Sequence, residues 1–292
     1  MIDIEKIRFG PAGNSDSFYL QGYKSSTQMP KWLFDKGLSA YEYSCGRGVN
    51  IKQETAVIIG EEAKKYDVAL SIHAPYYINL SSLEPDKQEA SKRYALEALQ
   101  AAQWMSAARV VFHPGACKNM DRLHALNIAK ESLKELLQRQ KEMDLNAIKL
   151  CPETMGKKNQ LGTLDEVLAL CKLSDDLIPA LDFGHINALG NGAIKTQQDY
   201  STILNQIENT LGADCLRKIH IHFSRIEYTQ AGEKKHWTLA DTQYGPEFDP
   251  LAELLYKKAM RPIVICESRG TMTEDAISMK GMYETYALCD NL

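Results

Sequence analysis

The chain has 292 residues, of which 44% are hydrophobic and 25% are charged, a composition typical of a soluble protein with a large core. Its net charge of −4 gives no general affinity for nucleic acid, so a DNA partner would require a local basic or metal-charged surface. No apolar run is long enough to cross a bilayer, and the N-terminus lacks a signal-peptide pattern. We therefore expect a cytoplasmic protein that contacts no membrane.

Cysteines are scattered along the chain without any CxxC pair, at positions Cys45, Cys117, Cys151, Cys171, Cys215, Cys266 and Cys289. Several of them, including Cys151 and Cys266, lie in apolar segments that resemble strands. This pattern favours buried thiols in a reducing compartment over a disulfide framework.

Short apolar or β-branched segments alternate with longer amphipathic segments along the whole chain. The strand candidates are Ile7–Pro11, Ala40–Cys45, Ala69–Ala74, Arg109–His113, Ala147–Glu153, Ile178–Phe183, Lys218–Phe223 and Pro262–Glu267. Helical spacing predicts helices at Lys87–Ser106, Asn127–Met143, Leu164–Lys172 and Thr273–Leu288. Eight strands that each precede a helix predict an α/β fold, a single-domain (β/α)8 TIM barrel over residues 1–292. The alternative is a doubly wound sheet, but Gly10-Pro11-Ala12-Gly13 does not match the glycine-rich phosphate turn common there.

Six side chains that can bind metal stand at the carboxyl ends of six consecutive strand candidates: His73, His113, Glu153, Asp182, His222 and Glu267. Active sites of such barrels lie at the carboxyl ends of the strands. Imidazole and carboxylate ligands together suit zinc, manganese or iron. Because no cysteine is among them, open coordination positions and hydrolytic chemistry fit better than a closed structural zinc site. The sequence therefore predicts a cluster of divalent ions.

Alternation within the seventh strand candidate separates two histidines from their apolar neighbours. Ile219, Ile221 and Phe223 share one face, which we expect to pack against helices, so His220 and His222 point into the barrel. His222 is nearer the top and is the better metal ligand. His220 lies one layer lower, where a hydrogen-bonded core role is expected.

Several motifs in order along the chain resemble the endonuclease IV family. They are Ser71-Ile72-His73-Ala74-Pro75-Tyr76-Tyr77-Ile78-Asn79-Leu80, Phe112-His113-Pro114-Gly115, Pro152-Glu153-Thr154 with Gly156 and Leu161-Gly162, Leu181-Asp182-Phe183-Gly184-His185, and the isolated His222 and Glu267. Members of that family are TIM barrels that incise DNA at abasic sites with a three-zinc cluster. The wider superfamily also contains xylose isomerase and ketose epimerases.

The resemblance implies which residues bind each ion. His73 and His113 would hold the first ion, and Glu153 would bridge it to the second and orient the nucleophile as the catalytic residue. The second ion would be completed by Asp182, His222 and Glu267, and the third would be held by His185 and His236.

The resemblance also suggests that Tyr76 enters the DNA base stack, although packing on the barrel rim explains a tyrosine there equally well. Arg47, which follows the second strand candidate, is a candidate phosphate contact; solvation is the simpler interpretation of its charge. The chain departs from the family at its third site, where an Asp-x-His pair is usual and Lys234-Lys235-His236 stands here. Because an ammonium group cannot bind a cation, Glu233 or Asp241 would have to replace the aspartate, or the third ion binds weakly.

Two functions follow from these observations. The first is a zinc-dependent hydrolase, an endonuclease that cleaves duplex DNA at abasic sites or 3′-blocked ends in base excision repair, with hydroxide generated by two or three ions. It would act as a monomer. The alternative is a single-metal sugar isomerase or epimerase, in which Glu153, Asp182, His222 and Glu267 hold one ion. His73, His113 and His236 favour the hydrolase, because a one-metal epimerase does not need them as ligands.

Overall fold

Parallel strands alternate with helices along the chain, as the hydrophobic pattern predicts. The computed structural model describes residues 6–118 and 120–289. Its strands are β1 (Arg8–Pro11), β2 (Ala40–Ser44), β3 (Ala69–His73), β4 (Arg109–Phe112), β5 (Gly115–Ala116), β6 (Lys149–Pro152), β7 (Gln160–Leu161), β8 (Ala180–Asp182), β9 (His220–Phe223), β10 (Arg225–Thr229), β11 (Gly232–Trp237) and β12 (Ile263–Cys266).

Eight of these strands form a parallel barrel. One half has the order β1-β12-β9-β8 and the other has the order β2-β3-β4-β6. The halves are joined by parallel bridges between Ala12 and Glu42 on one side and between Glu153 and Ala180 on the other. The predicted (β/α)8 TIM barrel is therefore confirmed. All carboxyl ends of the barrel strands meet at one rim, which is where the predicted metal ligands lie.

The α-helices of the described residues are α1 (Asp16–Leu20), α2 (Met29–Asp35), α3 (Gln53–Lys65), α4 (Pro85–Met105), α5 (Arg122–Glu142), α6 (Leu164–Cys171), α7 (Phe183–Leu189), α8 (Gln197–Leu211), α9 (Ala213–Arg217), α10 (Asp249–Lys257) and α11 (Met272–Cys289). The start predicted for α5, at Asn127, was wrong by five residues. The side chain of Asp121 accepts a hydrogen bond from the backbone N–H of His124 and begins this helix at Arg122.

Alternation along the strands divides the core into an outer and an inner part. Outward residues such as Ile221 and Phe223 belong to the large core under the helices. The barrel interior holds smaller apolar clusters, one of which contains Ala40 and Ala69. The cysteines whose side chains are described are free thiols, as expected, and all but Cys215 are buried.

The four strands outside the barrel form two antiparallel pairs in loops that follow barrel strands. β5 pairs with β7, and β10 pairs with β11. The second pair, a hairpin between β9 and α10, carries His236. Among the described residues, no helix is both long enough and apolar enough to span a membrane.

Candidate metal centre

The eight residues predicted as metal ligands converge at the carboxyl rim of the barrel. Six of them line a cleft of about 380 Å³: His73, His113, Glu153, His185, His236 and Glu267. Asp182 and His222 are fully buried beside it. Five overlapping groups of candidate ligand atoms occur among the described residues, and within each group the atoms lie within 4.8 Å of one another. Three of these groups together include all eight predicted ligands.

The first group consists of His73, His113 and Glu153. Glu153 Oε2 lies 3.1 Å from His73 Nε2 and 3.2 Å from His113 Nε2. His73 Nδ1 donates a hydrogen bond to the backbone carbonyl of Ala74 at 2.9 Å. This bond places a proton on Nδ1 and directs Nε2 toward Glu153 and the cleft.

The second group consists of Glu153, Asp182, His222 and Glu267. His222 Nδ1 lies 3.3 Å from both Glu153 Oε1 and Glu267 Oε1. The two oxygens of Glu153 therefore face different groups, which is the arrangement of a bridging carboxylate. Asp182 also begins α7, because its Oδ1 accepts a hydrogen bond from the backbone N–H of His185 at 2.7 Å.

The third group consists of His185, Glu233 and His236. Glu233 Oε2 lies 3.4 Å from His185 Nε2, and Glu233 Oε1 lies 3.9 Å from His236 Nε2. The Nδ1 atoms of the two histidines are occupied elsewhere, with His185 donating to the Thr154 carbonyl and His236 bonding Ser224 Oγ, both at 2.9 Å. Both Nε2 atoms are thus available on the side of Glu233.

A β-bulge brings Glu233 to this position. In the β10–β11 pair, Glu227 is opposite Lys235 and Tyr228 is opposite Glu233. Lys234 is therefore an extra residue that faces no residue of β10. The extra residue reverses the alternation of faces and puts Glu233 on the same side as His236. Lys234 itself turns away and donates to Glu227 at 2.5 Å. Of the two replacements considered for the missing aspartate, Glu233 is therefore the one that approaches.

Two glycines allow the close approach of β11 to the loop after β6. A Cβ on Gly156 would lie 2.7 Å from Glu233 Cβ and 3.0 Å from His185 Cδ2. Gly232 has a φ of +100°, and a Cβ there would lie 2.1 Å from the Gly156 carbonyl oxygen. The same carbonyl accepts the backbone N–H of Glu233 at 2.8 Å. Backbone contacts therefore fix Glu233 beside His185.

Electrostatics at the centre reflect crowded carboxylates and imidazoles. Burial alone would raise the pKa of Glu153, but hydrogen bonds from four histidines hold it well below its ordinary value. Burial and the charges of Asp182 and Glu153 raise the pKa of Glu267 to about 8. Burial opposes protonation of His73, yet Glu153 raises its pKa to about 9. Negative charges packed this closely favour a bound cation.

These residues fit divalent ions. Asp182 Oδ2 is buried and accepts no hydrogen bond among the described residues, and its ion-pair contact is with His185 Nδ1 at 3.4 Å. A buried carboxylate oxygen without a hydrogen bond is costly unless a cation meets it. The donor set is mixed imidazole and carboxylate without thiolate, which suits zinc, manganese or iron.

Other predicted residues lie around the centre. Tyr76 lines the cleft with 55% of its surface exposed. Arg47 is exposed in the loop after β2 and does not line the cleft; its carbonyl accepts a hydrogen bond from Tyr77 Oη at 2.8 Å. Asp241 lies away from the ligands, because its Oδ2 accepts hydrogen bonds from the backbone N–H and hydroxyl of Thr238 at 2.9 Å.

Sequence reasoning missed Glu42, which lies below the cleft and contacts His220 and His222. Its signal is alternation: in Ala40-Tyr41-Glu42-Tyr43 the tyrosines face the helices, so Glu42 faces the barrel interior. A carboxylate on the inner face of a barrel strand is rare enough to indicate a partner.

The chain belongs to the xylose isomerase-like TIM barrel family, whose model matches residues 31–282. An uncharacterized protein of Methanocaldococcus jannaschii is 33% identical over 243 residues, which cover 83% of this chain and 86% of that protein. A probable endonuclease 4 of Ureaplasma urealyticum is 25% identical over 199 residues, covering 66% of this chain and 62% of that protein. The resemblance to the endonuclease IV family is therefore confirmed.

This chain shares its fold with solved structures of an epimerase-like protein and of an endonuclease IV. A D-tagatose 3-epimerase-like protein superposes with a TM-score of 0.72 at 21% identity, covering 98% of each chain. Endonuclease IV of Thermus thermophilus superposes with a TM-score of 0.65 at 16% identity, covering 96% of this chain and 99% of that one. At such identities the likeness shows the fold alone, and the choice of function depends on the ligands.

Proposed function

We propose that this protein is a metal-dependent phosphodiesterase that cleaves duplex DNA at abasic sites or 3′-blocked ends, as in base excision repair. The observation that carries the proposal is the presence of three adjoining ligand groups rather than one. A single ion would need only Glu153, Asp182, His222 and Glu267. His73, His113, His185, Glu233 and His236 add two further groups around the same cleft.

Zinc is the metal proposed for these groups, with manganese or iron as alternatives. When bound, adjacent ions of this kind polarise a phosphoryl oxygen, activate water near neutral pH and stabilise a leaving oxygen. Glu153 contributes one oxygen to each of two groups and so fixes their relative position. It is the residue on which hydrolysis would depend most.

The surroundings of the centre suit a polyanion. Lys157 lines the cleft with its Nζ 4.0 Å from Glu233 Oε1. A second groove of about 490 Å³ adjoins the third group and is lined by Lys235 and Arg269, together with Lys234, whose ammonium pairs with Glu227. These cations provide the local positive surface that an acidic chain needs in order to bind phosphates. The exposed ring of Tyr76 at the cleft offers an aromatic face for a base.

A single-metal sugar epimerase is the second candidate. The four residues of the second group include two glutamates, Glu153 and Glu267, at the same candidate ion site, and a pair of this kind can remove and return a proton. The D-tagatose 3-epimerase-like structure shares the fold over 98% of the chain. This function leaves the first and third groups without a role.

Incision of a synthetic DNA duplex with one abasic site tests the proposal. The zinc-loaded protein should cleave the strand beside the abasic site and leave an undamaged duplex of the same sequence intact. Glu153→Gln should show no cleavage. A loaded protein that leaves the abasic duplex intact but epimerises a ketohexose would contradict the proposal and establish the second candidate.

A further inference from the structure

A polar network lies inside the barrel, directly below the candidate metal centre. Its members, Glu42, Ser71, His220 and His222, are at most 1% exposed. They come from three different strands, β2, β3 and β9. Because buried polar groups are retained only where they are paired, the contacts within this network indicate its purpose.

Glu42 is the common partner of the other three side chains. Its Oε2 accepts hydrogen bonds from Ser71 Oγ at 2.7 Å and from His220 Nε2 at 3.0 Å. Its Oε1 lies 2.9 Å from His222 Nε2 and forms an ion-pair contact with that nitrogen. Oε2 of Glu42 thus accepts hydrogen bonds from Ser71 and His220, and Oε1 faces His222.

His222 is held differently from three other candidate ligand histidines, His73, His185 and His236. His73 and His185 are each anchored through Nδ1 by a neutral backbone carbonyl, and His236 is anchored through Nδ1 by a hydroxyl. His222 Nε2 instead lies 2.9 Å from a carboxylate oxygen, Glu42 Oε1, in a contact outside hydrogen-bond geometry, and its Nδ1 is the nitrogen that faces Glu153 and Glu267. The ring is therefore reversed relative to the other three.

We propose that Glu42 is a positioning residue of the metal centre, which keeps the proton of His222 on Nε2 so that Nδ1 binds the ion of the second group. A carboxylate behind a ligand imidazole fixes the ring and makes the other nitrogen a stronger donor. This inference depends on the metal centre of the proposed function and does not depend on the substrate.

Glu42→Gln tests the charge of this residue with little change in volume. Zinc affinities are measured by competition with a chromophoric chelator, and cobalt is used in parallel as a spectroscopic probe. We expect the affinity for one ion per chain to fall about 10- to 100-fold. The visible spectrum of the cobalt protein should change, because the ligand field of the second group changes.

Ser71→Ala is the matched control, since it removes a hydrogen bond from Glu42 Oε2 and leaves Oε1 facing His222. It should retain the wild-type affinities and spectrum. Unchanged affinities and an unchanged spectrum in Glu42→Gln would overturn the proposal. Equal losses in the two variants would also overturn it, because they would show that the network only maintains packing.

A measurement on the unmodified protein keeps the proposal testable even if Glu42→Gln fails to fold. Long-range proton–nitrogen correlation spectra of the zinc-loaded, histidine-labelled chain report the tautomer of each ring. His222 should carry its proton on Nε2, whereas His73 and His185 should carry theirs on Nδ1. A proton on Nδ1 of His222 would refute the inference. Failure of the wild-type chain to bind metal at all would instead refute the metal centre itself.

Discussion

Gly156→Ala tests whether the third ligand group depends on the close packing of the loop after β6 against β11. The added methyl group would lie 2.7 Å from Glu233 Cβ, 3.0 Å from His185 Cδ2 and 3.1 Å from Glu233 Oε2. Carbon atoms in contact normally lie about 3.5–4.0 Å apart, so Glu233 must move away from residue 156 by close to an ångström and His185 by about half an ångström. Overpacking of this kind costs about 1–3 kcal/mol of folding free energy.

The displacement falls on two of the three ligands of one group, so metal binding should suffer more than folding does. We expect the affinity for one ion per chain to fall at least tenfold, while the ions of the first two groups remain. A displacement of about 1 Å in a reactive geometry can lower activity by about 100-fold. Metal titration and denaturant unfolding of the variant measure the two effects.

Gly281→Ala is the matched control, because Gly281 lies in α11 with nothing within 4 Å of the added methyl group. It should bind metal normally and be neutral or more stable by up to about 1 kcal/mol. If Gly156→Ala binds all its ions with wild-type affinity, the packing argument for Glu233 is wrong.

Four further variants or treatments test other parts of the centre. Glu153→Ala should lose the ions of the first two groups and all hydrolytic activity; retention of both ions by elemental analysis would contradict its bridging position. His220→Ala should lower the unfolding free energy with the ion count unchanged, and a lost ion would make His220 a ligand. Removal of metal with a chelator should lower the melting temperature, since each ion at 100 times its Kd stabilises the fold by about 2.7 kcal/mol. Equal melting temperatures of the metal-loaded and metal-free protein would contradict a metal site in the folded state. Tyr76→Ala should weaken binding of the abasic duplex without changing the ion count, and unchanged DNA affinity would leave Tyr76 a rim residue.

Six of the candidate ligands were predictable from the sequence because two simple rules act together. Short apolar segments define the strands, and the barrel geometry brings residues at their carboxyl ends, such as His73 and Glu267, to one rim. Position along the strand also distinguished His222, which is nearer the top of the barrel, from His220, and the structure places only His222 beside the carboxylates of the cleft.

The third group was less accessible to this reasoning. His185 lies in the first turn of α7, and His236 lies on a hairpin strand, so neither occupies a strand end of the barrel. Glu233 depends on a bulge of one residue, and a slip of one residue in a strand exchanges its two faces. Sequence periodicity does not reveal such a slip. Glu42 carried a detectable signal, because alternation places a carboxylate on the inner face of β2, two residues from Ala40.

The number of ions bound per chain tests the multinuclear centre most directly. Elemental analysis of the purified protein, corrected for protein concentration by amino-acid analysis, gives this number without any assumption about substrate. Three ligand groups predict three ions, with two remaining in a variant that lacks Glu233. A single ion, unaffected by substitution of His73, His113 or Glu233, would contradict the account and favour the one-metal epimerase.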